Sequence, residues 1–358
     1  MHEYIEEFAA SEGLLFSQDR FGNSYVTYNG SPSEKEQVLV LTAHTDHPGF
    51  VVTNVSEGQI KAKFQGGLSA EYGDSETLIA YRLGRIRSEY EQIGTADLVQ
   101  IETDQEHGRR ITGATLVPSI GTEIEEGDML LWDVTPFAIS DDEVPMILAR
   151  QCDDLIGVVT ILDTLRTLAR GKVAAHVVGL FTRAEEVGLM GASAAGAGGN
   201  IPDGSVVIAL ETSSGDGGRA VQGDGPIIRV GDAGSIFNPY VSAWMEVIAK
   251  ELAKNDEGFS FQRVLMDAGS TEATAFHRLG YTTGALCVAL GNWHNAGGSG
   301  KIEAENVSLY DTEALVTLLV ALAKNIDSFE STKLHQENQQ KSHASKASKL
   351  LLGQPHRK

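Results

Sequence analysis

From Cys152 onward, runs with strand character alternate with runs of helical period, and few folds accommodate that order. Ala175 to Thr182, Val206 to Leu210, Gln262 to Met266 and Thr283 to Leu290 read as strands. Between and after them, Pro239 to Lys254, Glu272 to Leu279 and Leu309 to Ile326 carry apolar residues at helical spacing. This alternation predicts an α/β fold, a mixed sheet with helices on both faces. Upstream, Gln37-Val38-Leu39-Val40-Leu41-Thr42-Ala43 is almost unbroken apolar sequence, as expected of a strand covered on both sides. In open sheets of this kind chemistry gathers where strands stop. The first run stops at His44-Thr45-Asp46, and the run through Val177, Val178, Leu180 and Phe181 leads to Glu185-Glu186.

Ile5, Phe8 and Ala9 predict a short amino-terminal helix, and Asp19 to Asn23 reads as a turn between two short strands. From about Val51 to about Ile147 helices become scarce. Gly58 to Phe64, Leu78 to Ile86 and Ile120 to Trp132 suggest strands and turns of a small barrel or sandwich. The expected organisation is a discontinuous catalytic body, 1–52 and 148–330, interrupted by a barrel-like β domain at 53–147. Beyond about Ser331 the chain is rich in Gln, Lys, Ser and His and lacks aromatics, so 331–358 is expected to be a disordered tail, with Leu350-Leu351-Leu352 as a possible docking segment.

The 358 residues carry a net charge of -21, which argues against nucleic acid or an anionic membrane as a partner, since both require basic patches. Cys152 and Cys287 are the only cysteines and form no disulfide framework, which suits a reducing compartment. The start of the chain, Met1 to Phe8, is acidic and amphipathic without the pattern of a signal peptide, and no apolar run approaches a membrane span. A cytoplasmic location is the expectation.

Residues that the pattern puts at strand ends or helix starts are His44, Asp46, Asp153, Asp154, Glu185, Glu186, Glu211 and His294. Singly, each has an ordinary reading as a cap, a strand end or a satisfied core group. Together they bring two imidazoles and several carboxylates to one sheet edge, a donor set suited to a pair of divalent ions with mixed N and O ligands. The chemistry of such a site is metal-assisted hydrolysis. One carboxylate is needed to bridge the ions, and another, free of metal, to carry the water's proton to the leaving group.

With these residues assembled, the chain resembles the co-catalytic tetrahedral and glutamyl aminopeptidase family, and more distantly the wider clan of di-zinc aminopeptidases, carboxypeptidases and deacylases. The resemblance spans about residues 1 to 328. Its anchors are His44-Thr45-Asp46, Asp153-Asp154-Leu155-Ile156-Gly157, Glu185-Glu186-Val187-Gly188-Leu189-Met190-Gly191-Ala192, Leu210-Glu211-Thr212 and Trp293-His294. Gly49-Phe50-Val51-Val52 followed by Phe64-Gln65-Gly66-Gly67 matches the opening of the family's inserted β domain. The resemblance implies that Asp153 bridges two divalent ions, with His44 and Glu211 completing one site and Glu186 and His294 the other. Zinc is the first expectation for the metal, with cobalt or manganese as alternatives. Glu185 would be the general base, and Asp46 would accept the other N–H of His44 and fix its tautomer. Asp154 is left as a helix-start residue. His294 is preferred to His277, which lies in a helical pattern, and to His47, which is too near the first ligand.

The chain departs from the family in three places. His47-Pro48 stands where Glu usually follows His-x-Asp, Glu211 where the aminopeptidases usually have Asp, and a glycine-rich loop follows His294. Glu211 leaves a carboxypeptidase or N-acyl amino acid deacylase open beside an aminopeptidase, so the substrate is a short peptide or an acylated amino acid. A non-enzymatic relative that binds peptides or serves assembly is the third reading. The family also implies a homo-oligomer, from dimer to dodecamer.

Overall fold

The apolar run of Val38–His44 is a strand buried along its whole length, and the sheet is built outward from it. The computed structural model describes residues 1–30, 37–73, 76–84, 90–104, 109–215, 219–298 and 300–352. Val38–His44 lies between His176–Thr182 and Val206–Ser214, and Thr282–Gly291 follows, all four parallel. Leu15–Gln18 and Ser24–Asn29 extend one side, joined through the turn at Asp19 to Asn23, and Glu305–Ser308, Met146–Ala149 and Phe137–Ile139 extend the other. These flanking pairings are antiparallel, and Ile227–Arg229 and Gln262–Val264 branch from Thr282–Gly291 to complete a mixed sheet of 11 strands.

Helices cover both faces, as the alternation predicted. Leu155–Gly171, Pro239–Asn255 and Leu309–Lys324 close one side over Leu41, Leu165, Trp244 and Leu318. Met190–Ala197 and Glu272–Arg278 close the other over Val40, Leu180 and Phe276. Each large apolar side chain so buried contributes roughly 1.5–3 kcal/mol. The fit is close at Gly179, where a Cβ would stand 2.7 Å from Ile161 Cγ2, so glycine lets the first helix lie directly on its strand.

Six strands between Gly49 and Trp132 form a separate closed antiparallel barrel. In Gln59–Gln65 the alternation is strict, Ile60, Ala62 and Phe64 turning inward. Phe50 packs its ring on Phe64 at 4.8 Å and on Trp132 at 5.4 Å between centroids. The barrel therefore begins earlier and ends earlier than the expected 53–147. Phe137–Ile139 and Met146–Ala149 are short edge strands of the main sheet, and short alternating runs carry no mark of which sheet they will join. Within the expected strand at Leu78 to Ile86, residues Thr77–Leu83 are extended, and Arg85 and Ile86 lie outside the described residues.

The expected disordered tail is instead a helix, Ser328–Leu352; residues 353–358 lie outside the described residues. Lys, Gln, Glu, Ala and Leu are good helix formers, which a reading based on low hydrophobicity discounts. The helix is anchored at its start, where buried Phe329 meets the Trp244 ring at 5.8 Å and Trp244 Nε1 donates to Ser328 Oγ at 3.1 Å. Phe329 is the one residue of this helix that is buried. Among the described residues, no helix is long and apolar enough to cross a membrane. Ending the chain at Asn338 should change stability by no more than ~0.5 kcal/mol, whereas Phe329→Ala should cost roughly 3–5 kcal/mol. Scanning calorimetry checks both, and equal effects would contradict an anchor confined to the first turn.

Candidate metal centre

The parallel strands deliver their side chains to one edge. His44 ends Val38–His44, and Glu211 lies in the neighbouring Val206–Ser214, three residues short of its end. Glu185 and Glu186 occupy the turn between His176–Thr182 and Met190–Ala197, and His294 lies on the loop after Thr282–Gly291. Asp153 stands just ahead of Leu155–Gly171, while Asp154 caps that helix through Oδ1, which accepts from Gly157 N at 3.0 Å. A cavity of about 490 Å³ opens over His44, Asp153, Glu185, Glu186, Glu211 and His294.

Asp153 is the centre of the arrangement. Its Oδ1 lies 3.1 Å from His44 Nε2 and its Oδ2 lies 3.8 Å from His294 Nε2. On the first side Glu211 Oε2 is 3.8 Å from His44 Nε2, and on the second Glu186 Oε1 is 3.1 Å from His294 Nε2. His44, Asp153 and Glu211 thus form one group, and Asp153, Glu186 and His294 another, each with ligand atoms within 4.8 Å of one another. Glu185 joins His44 and Glu186 in a third such group.

The ring nitrogens show what this geometry requires. His44 Nδ1 is 3.0 Å from the Asp46 carbonyl and His294 Nδ1 is 2.6 Å from the Gly67 carbonyl, so each Nδ1 carries a hydrogen and donates it. Each Nε2 then faces carboxylate oxygens with either a bare lone pair, which is repulsive, or a second proton, which makes the ring cationic. Glu186 Oε1 is buried and has no hydrogen-bond partner, although His294 Nε2 is close by. Two lone-pair atoms side by side without a hydrogen bond between them are placed as ligands of a common cation are placed. The donors fit divalent metal on both sides of Asp153.

Without metal, protons fill the demand. Burial pulls the His44 pKa down, but the carboxylates of Asp153 and Glu211 outweigh it and hold it well above the usual imidazole value. His294 behaves alike, burial lowering it and Glu186 raising it to a net value of about 9. Burial pushes Glu211 up to about 7 and Glu185 up to about 10, with neighbouring carboxylates adding to the push on Glu185. Asp153, although buried, is held below the ordinary carboxylate range by its hydrogen bond with His44.

Asp46 does not play the part expected of it. The His44 N–H is taken by the Asp46 backbone carbonyl, and the carboxylate stands 4.0 Å away. That carboxylate instead accepts from the backbone N–H of Glu185 at 3.0 Å and of Glu186 at 3.1 Å. The short turn after His44 folds the carbonyl back over the ring, which leaves the side chain free to fix the Glu185-Glu186 backbone. Ala184 has φ of 58°, a left-handed conformation that a non-glycine residue holds only under constraint.

Several contributors escape a reading of the sequence. Gly67 supplies the carbonyl under His294 from the barrel side. His47 spans the Asp153 carbonyl at 2.9 Å and Asn295 Oδ1 at 3.1 Å. Glu272 lies fully buried behind the site and accepts from the Thr42 and Thr182 hydroxyls. Their common signal, a polar residue inside or beside an apolar run, is too widespread to single them out.

A sequence model of the M42 glutamyl aminopeptidase family matches residues 22–318. The chain belongs to this family. As an M42 protein it is a metal-dependent exopeptidase of the aminopeptidase type, and the carboxypeptidase, deacylase and non-enzymatic readings are not favoured. Solved structures share the M42 chain's fold at low identity. The TET1 peptidase of Pyrococcus horikoshii is 22% identical, covering 90% of this chain and 94% of its own, with a TM-score of 0.69. A TET aminopeptidase from a marine sediment archaeon of the Thaumarchaeota is 20% identical, covers 92% of each chain and gives 0.72. An aminopeptidase of Desulfurococcus kamchatkensis is 19% identical, covers 90% of this chain and 89% of its own, and also gives 0.72.

A ligating Nε2 must shed its proton, and both imidazoles hold theirs above the ordinary range. Below those raised values, each unit of pH gained strengthens metal binding by up to about tenfold for every proton displaced. Calorimetric titration of the chelator-stripped chain with Zn2+ should therefore show affinity rising from about pH 6 to about pH 8 with proton release. A flat profile would contradict exchange of protons for metal.

Proposed function

We propose that this M42 enzyme removes residues from the amino end of short peptides, with Glu185 as general base beside two divalent ions that share Asp153. The supporting observation is that the two Asp153 oxygens face different imidazoles, one toward His44 and one toward His294. His44 and Glu211 would complete one site, Glu186 and His294 the other. Zinc is the first choice and cobalt or manganese the alternatives, since mixed N and O donors accept all three. Ions held there would polarise the scissile carbonyl and lower the pKa of water between them toward ~7.

The chain's own groups do the rest. Glu185 would carry the water's proton to the departing amine, and cations held beside it would offset the burial that raises its pKa. Asp46 holds the Glu185 and Glu186 amides, so that base and ligand keep a fixed separation. Glu211 would fill the ligand place despite the family's usual Asp, its Oε2 standing 3.8 Å from His44 Nε2.

The cavity wall supports a preference for acidic side chains. Arg229 lines it and is buried, donating to Ser213 Oγ at 2.7 Å and to the Met266 and Gly269 carbonyls at 3.1 and 3.3 Å. Its partners there are neutral, and Nε is buried without one. A buried guanidinium whose hydrogen-bond partners are all neutral favours an anionic guest, even with the Glu211 carboxylate in electrostatic reach.

The relatives support an assembly. The Pyrococcus horikoshii peptidase is described as forming a tetrahedron or a large octahedral shell, and a related structure as a dodecamer. We carry over a homo-oligomer, from dimer up to dodecamer, with the barrel as the assembly and access element, working in the cytoplasm.

Glu185→Gln should keep its metal while kcat falls by about 10²–10⁴; retained turnover would remove Glu185 from its role. Among amino-terminal residues offered as chromogenic amides, Glu and Asp should exceed Leu and Lys in kcat/KM by about tenfold or more. Inactivity of the metal-loaded wild type across that panel would overturn the assignment as a whole.

A further inference from the structure

Glu305, like Glu272 and Asp154, is a fully buried carboxylate near the site that does not line the cavity. It begins the strand Glu305–Ser308, which lies between Thr282–Gly291 and Met146–Ala149 and runs antiparallel to both. Its start therefore falls where both neighbours end. One of those ends leads into Cys152-Asp153, the other into Trp293-His294.

Glu305 uses both oxygens on these two loops. Oε2 accepts from Cys152 N at 2.8 Å and Asp153 N at 2.9 Å, and Oε1 accepts from His294 N at 2.8 Å. Three backbone donors on two separate segments thus meet at one side chain. Asn295 adds to the joint by donating to the Arg150 and Glu303 carbonyls at 3.0 and 3.1 Å. The His294 loop needs such support, for Asn292, His294 and Asn295 have φ of 56°, 54° and 65°. Left-handed backbone at non-glycine residues persists only where its surroundings over-determine it.

The other half of the site is built differently. His44 and Glu211 lie within strands and are held by regular parallel ladders, His44 paired with Thr182 and Glu211 with Cys287. We infer that Glu305 is a positioning residue that locks the backbone of Asp153 to that of His294, and so governs one metal position of the pair and not the other. The inference rests on the two-ion reading above. Glu305 touches neither metal nor substrate. It acts through the separation it imposes between the bridging carboxylate and the imidazole opposite.

Glu305→Gln tests this with little change of shape, because a carboxamide has one accepting oxygen and must turn its NH2 toward either the His294 N–H or the Cys152 and Asp153 N–H groups. Glu305→Asp keeps the charge and withdraws it by one methylene. The full chain, stripped with a chelator and checked by circular dichroism, is titrated with Zn2+ alone. Wild type should take two ions. Each variant should take one with wild-type affinity and the second about 10–100-fold more weakly. Two ions bound as in wild type would overturn the inference. So would equal weakening of both, or loss of fold in both variants, since Glu305 would then serve the whole body. If the wild type takes fewer than two ions, it is the two-ion reading that fails.

Discussion

Buried negative charge around Asp153 is the constraint to which the rest of the sheet edge answers. Asp153, Glu186 and Glu211 crowd into a space where His44 and His294 stand within 4 Å and offer compensating charge by holding protons above the ordinary imidazole range. A carboxylate moved from water into an apolar interior without a partner costs far more than one domain's net stability can absorb. The edge is therefore a place that demands cations. Protons answer the demand in part, and divalent ions, with two charges each and a liking for mixed N and O donors, answer it better.

The supports for this charge are themselves polar and buried. Asp46 grips the amides of the glutamate pair, Glu272 ties Thr42 and Thr182 together beneath it, and Glu305 joins the loops of Asp153 and His294. Each is placed where backbone or hydroxyl donors leave the regular ladder. Such donors, once buried, must be satisfied. Acidic side chains thus serve both to hold charge at the surface of the cavity and to hold backbone beneath it, and only their partners tell the two uses apart.

Much of the fold was legible in the letters because its period changes are abrupt. The unbroken run before His44 and the alternation after Cys152 are consequences of a sheet buried on both faces. The gathering of the candidate residues was legible for the same reason: parallel strands place whatever follows them on one edge. Glu305 was hidden by that rule, since it begins an antiparallel strand and reaches the edge from the opposite direction. The barrel's limits were blurred because the short strands at Phe137 and Met146 look alike whichever sheet takes them. The closing helix was missed because low hydrophobicity argues against a core, and this helix has one only at Phe329. Asp46 was placed correctly beside His44, yet which of its oxygens, backbone or side chain, meets the ring depends on a turn that residue types leave free.

The bond from His294 Nδ1 to the Gly67 carbonyl gives the inserted barrel a stake in the chemistry. Gly67 follows the barrel strand Gln59–Gln65, whereas His294 belongs to the main sheet's loops. An imidazole hung between two bodies takes its tilt from both. The barrel is consequently no detachable ornament: a lineage that lengthened, trimmed or re-registered it would be shifting a ring in the cavity wall, and the two parts are bound to change together.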